Sequence, residues 1–404
     1  MNGSTSQSEL PQTSPDVTVA RIGAFDGIRG AAILWVAFHN TTDVLAAPSS
    51  GPVHLLALIL HPGWIGVQLF FALSGFLITD GLLATQQAQN YFSGFYARRA
   101  LRIFPLYYLA LVVTLILVPL AVRPTPPLLE PALDHQIWLW LFGINWTHGA
   151  MPGFGHFWSL AVEEQFYLLW PLVVFRLSPV RLLKTCVVIA IVVFVVRSSL
   201  AMTGSSAEAL YHSTVCRVDA LVFGGAGAAL LRIPAARRWF TAHLGSLSWS
   251  AIFLALAGFF ATSGYDTNGL ACKTFGYTLL AYCCAVFVVA VAQSSGGSGK
   301  KSSGWIVRIL ESRILRSCGM YSYAMYIFHA MFHKLVGEPW LRSAYPDRIP
   351  TNVVLVYAVT VVMVSYVTAL CSFYLYESHF LRLKRHFKPM GIRVRASSTS
   401  RVLP

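Results

Sequence analysis

Residues 25–39 read FDGIRGAAILWVAFH, and this stretch decides how the chain is organised. It carries Asp26 and Arg29 near its start, is apolar thereafter, and ends at His39. We interpret it as the start of a membrane-spanning helix that carries ionisable groups. Such groups are costly inside a bilayer, so they usually face the interior of a helical bundle and mark candidate sites. The alternative is a snorkelling arginine at a helix end and a hydrogen-bonded histidine in the core.

Helix geometry limits what Arg29 and His39 can do together. The two residues are ten positions apart, which separates their backbones by about 15 Å along a helix. They are therefore not hydrogen-bonded neighbours. If Arg29 lies near one face of a bilayer core about 30 Å thick, His39 lies near its mid-depth.

The composition indicates a multi-pass membrane protein. Of the 404 residues, 56% are hydrophobic and 11% are charged, and the mean hydropathy is +0.60. Average soluble domains carry about 25% charged residues. Ten apolar segments of the chain are long enough to span a bilayer. These segments lie near 28–46, 63–83, 100–122, 157–176, 184–202, 214–231, 246–262, 272–292, 314–336 and 351–376.

The distribution of basic residues predicts the orientation. With the N-terminus inside, most of the 30 Lys and Arg residues fall in segments on the inner side, as the positive-inside rule requires. Both termini are therefore expected in the cytoplasm, and the net charge of +14 reflects topology rather than nucleic-acid binding. The aromatic stretch near 136–147 is too short to span, and we expect it to form a short interfacial helix.

The remaining segments predict the domain organisation. Residues 1–24 lack the pattern of a signal peptide and are expected to form a disordered cytoplasmic tail. Residues 25–380 form the membrane domain. Residues 381–404 are a basic cytoplasmic tail that either lies against anionic lipid or only anchors the topology. The seven cysteines show no CxxC spacing, so we expect buried free thiols and no metal site.

An arginine cluster opens the third predicted span. Residues 95–108, FYARRALRIFPLYY, contain Arg98, Arg99 and Arg102 at its inner end. Arg99 and Arg102 share a helix face. Three guanidinium groups near a cytoplasmic opening suit the recognition of phosphates on a nucleotide-bearing ligand. Anchoring of the topology is an equal alternative.

Residues 156–171, HFWSLAVEEQFYLLWP, are the most informative stretch. Three polar residues are spaced four positions apart and share a helix face, namely Ser159, Glu163 and Tyr167. Glu164 lies beside them in the sequence. A polar stripe within a span is expected to face an interior cavity. A carboxylate there can orient an imidazole or bind hydroxyl groups, and a structural hydrogen bond is the alternative.

Two later segments also carry polar groups within predicted spans. Arg217 and Asp219 are two positions apart and do not face each other on a helix, so each needs another partner. In residues 321–333, YSYAMYIFHAMFH, Tyr326 and His329 lie on one stripe. His329 is a second candidate for proton transfer, although a role in positioning an acceptor or in core packing is favoured.

Together these segments resemble the acyltransferase 3 family of bacterial membrane O-acyltransferases. The resemblance rests on FDGIRG followed by His39, on GVQLFFALSGFLIT at residues 66–79, and on the arginine, glutamate and histidine segments, in the family's order. It implies an all-α integral membrane protein with about ten transmembrane helices in the cell (inner) membrane. It also implies transfer of an acyl group, often acetyl, from a cytoplasmic donor to a hydroxyl, usually on a carbohydrate.

The resemblance and the polar stripes together define an expected site. By motif, Arg29 and His39 match the family's first-helix pair. In the same way, Arg99 and Arg102 match the family's third-helix arginine pair. In our hypothesis the donor is acyl-CoA, often acetyl-CoA, and His39 removes the proton of the acceptor hydroxyl as it attacks the thioester. The expected residues are catalytic His39, Arg29, Glu163 and Glu164; donor-binding Arg98, Arg99 and Arg102; and substrate-binding Ser159, Tyr167, Tyr326 and His329.

One spacing departs from the family. Nine residues lie between Arg29 and His39, where the family usually has ten, and ten steps of about 100° leave an offset of about 80°. A local bulge, the reach of Arg29, or an impaired pair would each account for this. In residues 66–79 the small side chains favour close helix packing.

Two other functions stay open at the level of sequence. One is a glycan or lipid transporter without chemistry, in which the polar stripes line a path. The other is an enzyme-like protein that has lost its activity. The acceptor of an acyl transfer, a carbohydrate or a glycosylated or hydroxylated small molecule, is not fixed by the sequence.

Overall fold

The computed structural model describes residues 23–43, 52–147, 151–295 and 304–391, and helices joined by turns make up these ranges. Ten of the helices have eleven or more residues, and we number them in chain order. They are α1 (Gly23–Thr41), α2 (Ile65–Ala84), α3 (Tyr91–Val112), α4 (Trp158–Arg176), α5 (Pro179–Met202), α6 (Thr214–Leu231), α7 (Leu244–Ala261), α8 (Tyr277–Ser295), α9 (Ser322–Phe332) and α10 (Thr351–Ser372).

Shorter helical pieces connect or extend these ten helices. Short α-helices lie at Pro52–Leu60, Val118–Ala121, Glu130–Asp134, Gln136–Trp140, Ala207–His212, Pro234–Ala242, Trp305–Leu310, Arg313–Met320, Glu338–Ala344 and Ser378–Leu383. Turns of 3₁₀-helix lie at His61–Trp64, Pro127–Leu129, Ile144–Trp146, Gly155–Phe157 and Lys384–Phe387. Turns of π-helix lie at Val113–Leu117, Cys272–Gly276, His333–Gly337 and Phe373–Glu377.

Seven helical segments within the described ranges are long and apolar enough to cross a membrane, judged by length and composition. They contain α2, α3, α5, α6, α7, α8 and α10, at seven of the ten predicted positions. Helices α1, α4 and α9 form at the other three positions, and they carry His39, Glu163 and His329. The prediction of an all-helical, multi-pass membrane protein is confirmed, whereas ten spans and cytoplasmic termini stay predictions.

Burial separates central helices from peripheral ones. In the segments that contain α6 and α8, 61% of the most apolar stretch is buried. In α5 and α7 the corresponding buried shares are 22% and 11%. Apolar side chains on the outer helices, such as Val188 on α5 and Phe253 on α7, are exposed. This pattern suits a bundle that presents apolar side chains to lipid and keeps polar groups inside.

Helices α2 and α6 approach each other through glycines. A methyl group added at Gly75 would lie 1.8 Å from the backbone oxygen of Leu221, and one at Gly224 would lie 2.0 Å from that of Ala72. Small residues permit such close contacts between membrane helices. The packing interpretation of residues 66–79 is therefore correct for Gly75.

The ends of the membrane domain differ from the prediction. Helix α1 begins at Gly23, inside the predicted tail 1–24, because Ala24 and Phe25 are buried in an apolar cluster. Helical structure also continues beyond residue 381, through Phe387. The remainders of the two predicted tails, residues 1–22 and 392–404, lie outside the described ranges.

The stretch near 136–147 forms short helical pieces, as predicted. An α-helix covers Gln136–Trp140 and a 3₁₀ turn covers Ile144–Trp146. Side chains of α3 hold this segment in place, since the Tyr107 hydroxyl donates to the backbone oxygen of Leu139 at 2.7 Å. Its position at a membrane interface stays a prediction.

We expect Gly75→Ala to destabilise the fold, because the added methyl group forces α2 away from α6. Overpacking of this kind costs about 1–3 kcal/mol. The matched control is Gly81→Ala in the same helix, where an added methyl group meets nothing within 4 Å. Thermal unfolding of the detergent-purified protein, followed by tryptophan fluorescence, measures both variants. Equal unfolding temperatures for Gly75→Ala and the wild type would contradict this account of the packing.

Candidate active site

A central cavity brings together charged residues from three helices. Arg29 comes from α1, Arg99 and Arg102 from α3, and Glu163 and Glu164 from α4. The cavity contains about 770 Å³ of empty space. Its lining also includes three of the expected substrate-binding residues, namely Ser159, Tyr167 and Tyr326.

The arginines of the central cavity differ in their partners. Arg29 donates to Asp26, one turn earlier in α1, at 3.1 Å. The guanidinium carbon of Arg99 lies 4.8 Å from the centre of the Tyr167 ring, and the Tyr167 hydroxyl lies 2.8 Å from Ser74 Oγ. In the described part of the chain, Arg99 and Arg102 form no ion pair within 4.0 Å. These two cations are therefore available to an anionic ligand.

Arg98 does not join its two neighbours. Its guanidinium donates to the backbone oxygen of Phe387 at 2.5 Å, and it does not line the central cavity. The helical turn at Lys384–Phe387 thus takes up the side chain that the sequence groups with Arg99 and Arg102. Arg98 is absent from the central cavity because it does not lie on the helix face that Arg99 and Arg102 share.

His39 lies in a second cavity, which we call the histidine cavity. This space of about 1950 Å³ is lined by residues that surround the C-terminal end of α1. Val67 and Tyr326 line both the central cavity and the histidine cavity, so the two spaces are neighbours. The histidines that line it are His39, His61, His156, His212 and His333.

A backbone contact fixes the protonation of the His39 ring. Its Nδ1 atom lies 3.1 Å from the backbone oxygen of Leu60. A carbonyl oxygen only accepts hydrogen bonds, so Nδ1 carries the proton and the neutral ring keeps a free lone pair on Nε2. Neither Glu163 nor Glu164 lines the histidine cavity. The Leu60 carbonyl therefore holds the ring in the place where the sequence suggested a carboxylate.

Gly63 makes that contact possible. A methyl group added at Gly63 would lie 2.4 Å from Cβ of His39 and 2.7 Å from the backbone oxygen of Trp35. The turn His61–Trp64 therefore packs directly on α1, with Leu60 immediately before it. No property of the stretch 25–39 alone predicts this neighbour.

A partition separates the two cavities, and we define it as the contact between Tyr326 on α9 and Ser159 on α4. The hydroxyl oxygens of these residues lie 2.5 Å apart. The Tyr326 hydroxyl also donates to the backbone oxygen of His156 at 2.9 Å. Ser159 lines the central cavity, His156 lines the histidine cavity and Tyr326 lines both.

His329 is fully buried and lines neither of these cavities. Its Nδ1 atom lies 2.8 Å from the backbone oxygen of Tyr326, so it donates there. Its Nε2 atom then accepts from the Asn40 side chain at 3.0 Å. Both ring nitrogens are engaged, and the residue ties α9 to the end of α1 that carries His39.

A third cavity, the basic cavity, lies at the opposite end of the central cavity. It contains about 2000 Å³ of empty space and shares Arg29, Leu77, Arg102 and Tyr323 with the central cavity. The three cavities follow α1 from Asp26 to His39 and onward to Asp43. The charged side chains of the basic cavity are Asp26, Arg29, Asp80, Arg102, Arg232, Arg237, Glu377 and Lys384.

No bulge corrects the spacing of Arg29 and His39 within α1. The helix is regular from Gly23 to Thr41. Arg29 lines the central and basic cavities, whereas His39 lines the histidine cavity. Because the two side chains serve different spaces, an angular offset between them requires no correction.

An ion-pair network at the rim of the histidine cavity has no counterpart in the predicted site. His333 Nε2 lies 3.2 Å from Asp43, and Lys334 contacts Asp43 at 2.7 Å and Glu338 at 2.8 Å. Burial alone would raise the pKa of Glu338, but hydrogen bonds from Lys334 and Arg342 lower it below its ordinary value. The i, i+4 spacing of Lys334 and Glu338 was the available sequence signal.

Arg217 and Asp219 take different partners, as their spacing requires. Asp219 forms a fully buried ion pair with Arg197 of α5 at 2.8 Å. Arg217 is also fully buried, and its guanidinium carbon lies 4.5–5.6 Å from the ring centres of four aromatic residues. Such cation–π contacts offset part of the cost of burying the charge. The four rings belong to Trp64, Trp158, Tyr211 and Tyr277.

Within the described residues, arginines, glutamates and an imidazole line neighbouring cavities of a bundle that contains apolar helices, and this arrangement is the candidate site. The chain belongs to the acyltransferase 3 family, because the family's model, described as an acyltransferase domain, matches residues 22–372. The resemblance seen in the sequence motifs is thereby confirmed. No solved structure matches the chain significantly.

Several similar proteins carry a related name. The peptidoglycan O-acetyltransferase OatA of Listeria monocytogenes is 30% identical over 222 residues, which cover 50% of this chain and 33% of the relative. The O-acetyltransferase OatA of Staphylococcus aureus is 24% identical, covering 80% and 52%. The putative peptidoglycan O-acetyltransferase YrhL of Bacillus subtilis is 26% identical, covering 76% and 48%. The chain thus spans a third to about half of the length of these relatives.

We expect Arg197→Met to cause a large loss of stability, because it leaves the Asp219 carboxylate buried without its cation. Removing one partner of a buried pair costs about 3–5 kcal/mol. The control is Arg232→Met, which breaks the partly exposed pair with Asp80 and should cost at most about 1 kcal/mol. Thermal unfolding in detergent compares them. If both variants lost the same amount of stability, the buried Arg197–Asp219 pair would contribute no more than the partly exposed Arg232–Asp80 pair.

Proposed function

We propose that this chain is a membrane O-acyltransferase. It moves an acyl group, for which we propose acetyl, from a cytoplasmic acyl-CoA to a hydroxyl. The hydroxyl belongs to a carbohydrate or to a glycosylated or hydroxylated small molecule. The observation that carries the proposal is the arrangement of three cavities along α1, with unpaired arginines on one side of the partition and His39 on the other. Membership of an acyltransferase family supports it.

The predicted orientation assigns each substrate to one end. If the positive-inside rule holds, the basic cavity opens towards the cytoplasm, where acyl-CoA is available. The histidine cavity then opens towards the other face and receives the acceptor. The donor and the acceptor enter from opposite sides, and the reacting atoms meet at the Tyr326–Ser159 partition.

The proposed step is a direct transfer with His39 as general base. The hydroxyl oxygen of the acceptor attacks the carbonyl carbon of the thioester while Nε2 of His39 accepts the hydroxyl proton. The carbon–sulfur bond then breaks, and the proton passes from His39 to the leaving thiolate. The products are an ester and free coenzyme A. The contact between Nδ1 and the Leu60 carbonyl supports this role, because it keeps Nε2 free to accept a proton.

The other site residues take roles that follow from their cavities. Arg99 and Arg102 attract the donor into the central cavity, and Arg98 is left out because it donates to the backbone of Phe387. Glu163 and Glu164 balance the charge of the arginines. The side chains along the acyl path are Ser159, Tyr167 and Tyr326, and His329 acts through Asn40 to position the end of α1.

The reaction is tested with membranes that contain the protein and acetyl-CoA labelled in the acetyl group. We expect the label to appear as an ester on a hydroxyl acceptor. Movement of a glycan across the membrane without any labelled product would favour the transporter alternative. Absence of both outcomes with a range of carbohydrate acceptors would contradict the proposal.

His39→Ala should reduce acyl transfer by about 100-fold or more, since general bases contribute factors of this size. The matched control is His135→Ala, because His135 is exposed and lies outside the three cavities. Initial rates at saturating acetyl-CoA, normalised to the amount of folded protein, compare the two. Unchanged turnover in His39→Ala would remove this residue from the mechanism.

Gly63→Ala should lower kcat and leave the KM for the donor nearly unchanged. The added methyl group pushes the His61–Trp64 turn from α1 and breaks the contact that fixes the His39 ring. A ring free to change tautomer also shifts the pH dependence of kcat, which a general loss of packing does not. Gly81→Ala is the control. A wild-type pH profile with wild-type kcat would contradict the positioning role.

A further inference from the structure

Three cations in the basic cavity form no ion pair, and this sets them apart from the others. Arg29 pairs with Asp26 at 3.1 Å, and Arg232 pairs with Asp80 at 2.5 Å. Within the part of the chain that the structure describes, no carboxylate lies within 4.0 Å of the remaining cations. The third carboxylate of the lining, Glu377, accepts a hydrogen bond from Ser372 instead. The remaining cations are Arg102, Arg237 and Lys384.

The positions of these cations follow the depth of the cavity. Arg102 lines both the basic cavity and the central cavity, so it lies where the two meet. Arg237, on the helix Pro234–Ala242, is exposed, and Lys384, after α10 and its extensions, is partly buried. Both of these residues line the basic cavity alone. A ligand that contacts all three would extend from the mouth of the basic cavity towards the partition.

The charges of this group call for a ligand with more than one negative charge. Like charges that are gathered in a partly buried space repel each other and gain from an anionic partner. Arginine binds phosphate oxygens through its planar fork, and lysine binds phosphate as a point charge. The basic cavity is open to solvent, and its volume of about 2000 Å³, counted with that open part, exceeds the range of about 300–1,000 Å³ that is usual for small-molecule pockets.

We propose that Arg237 and Lys384, together with Arg102, bind the phosphate groups at the nucleotide end of a thioester donor. This inference rests on the proposed function, and it moves the phosphate site from the Arg98–Arg102 cluster to the mouth of the basic cavity. The outer phosphates of the donor then lie at Arg237 and Lys384, its innermost phosphate lies at Arg102 where the two cavities meet, and its arm carries the thioester into the central cavity. An anionic lipid headgroup shares the phosphate chemistry, but only a thioester donor also places a reactive carbonyl carbon in the adjoining central cavity, and the lipid arm of the test below distinguishes the two sources.

The test uses the double variant Arg237→Gln/Lys384→Gln and the matched control Arg238→Gln/Arg385→Gln. The control residues are sequence neighbours of the same charge, are exposed, and do not line the cavity. Each protein is reconstituted in nanodiscs of phosphatidylcholine and assayed with acetyl-CoA and with S-acetylpantetheine, a thioester that has the same arm and no phosphate.

We expect the test variant to raise the KM for acetyl-CoA by about tenfold or more, since two charged contacts to phosphate are lost. Its kcat, and its KM for S-acetylpantetheine, should stay at the wild-type values, and the control variant should match the wild type with both donors. An unchanged KM for acetyl-CoA would overturn the inference. Equal increases with both donors would also overturn it, because the effect would then not depend on phosphate.

Two further arms separate the sources of failure. If the increase in KM appears only in nanodiscs that contain phosphatidylglycerol, the cations bind lipid headgroups and the inference is wrong. If the wild type transfers acetyl from neither donor, the proposed function fails. Calorimetric titration with coenzyme A then tests the site alone, and the inference stands only if the test variant binds more weakly than the control.

Discussion

The uninterrupted helical backbone of α1 is the constraint on which the rest of the site depends. The helix is regular from Gly23 to Thr41, and it carries Arg29 and His39 on separate turns. Because no bulge brings these side chains together, the guanidinium of Arg29 and the imidazole of His39 line different cavities. A reaction that used both Arg29 and His39 would therefore involve both cavities. The Tyr326–Ser159 contact lies between these two cavities.

The surroundings of α1 compensate its charges in different ways at its two ends. Near Gly23, the Arg29 guanidinium is held by Asp26 one turn away. Near Thr41, Asn40 contacts His329 and Asp43 contacts both His333 and Lys334. Polar groups inside a membrane need such partners, because lipid supplies none. These contacts also connect α1 to the region around α9, so the segment that carries His39 and the helix that carries Tyr326 support each other.

Much of the helical architecture follows from the length of the apolar segments, while the details of the site do not. Seven of the ten predicted spans coincide with apolar helices, since length and hydropathy are local properties. The Leu60 carbonyl at His39 and the Phe387 carbonyl at Arg98 could not be predicted, because a backbone oxygen carries no mark in the sequence. The separate partners of Arg217 and Asp219 could be predicted in part, since helix geometry excludes a direct pair.

The Tyr326–Ser159 partition bears on whether ions can leak across the membrane through this protein. The basic cavity is lined by residues at the start of α1 and the histidine cavity by residues at its end. If they joined through water, protons and ions would flow down their electrochemical gradients through this chain. The hydroxyl–hydroxyl contact of 2.5 Å between Tyr326 and Ser159 lies where the linings of the central cavity and the histidine cavity meet. A group that passed between the cavities at this point would have to displace the contact, and a small, uncharged group would do so without carrying water or ions with it.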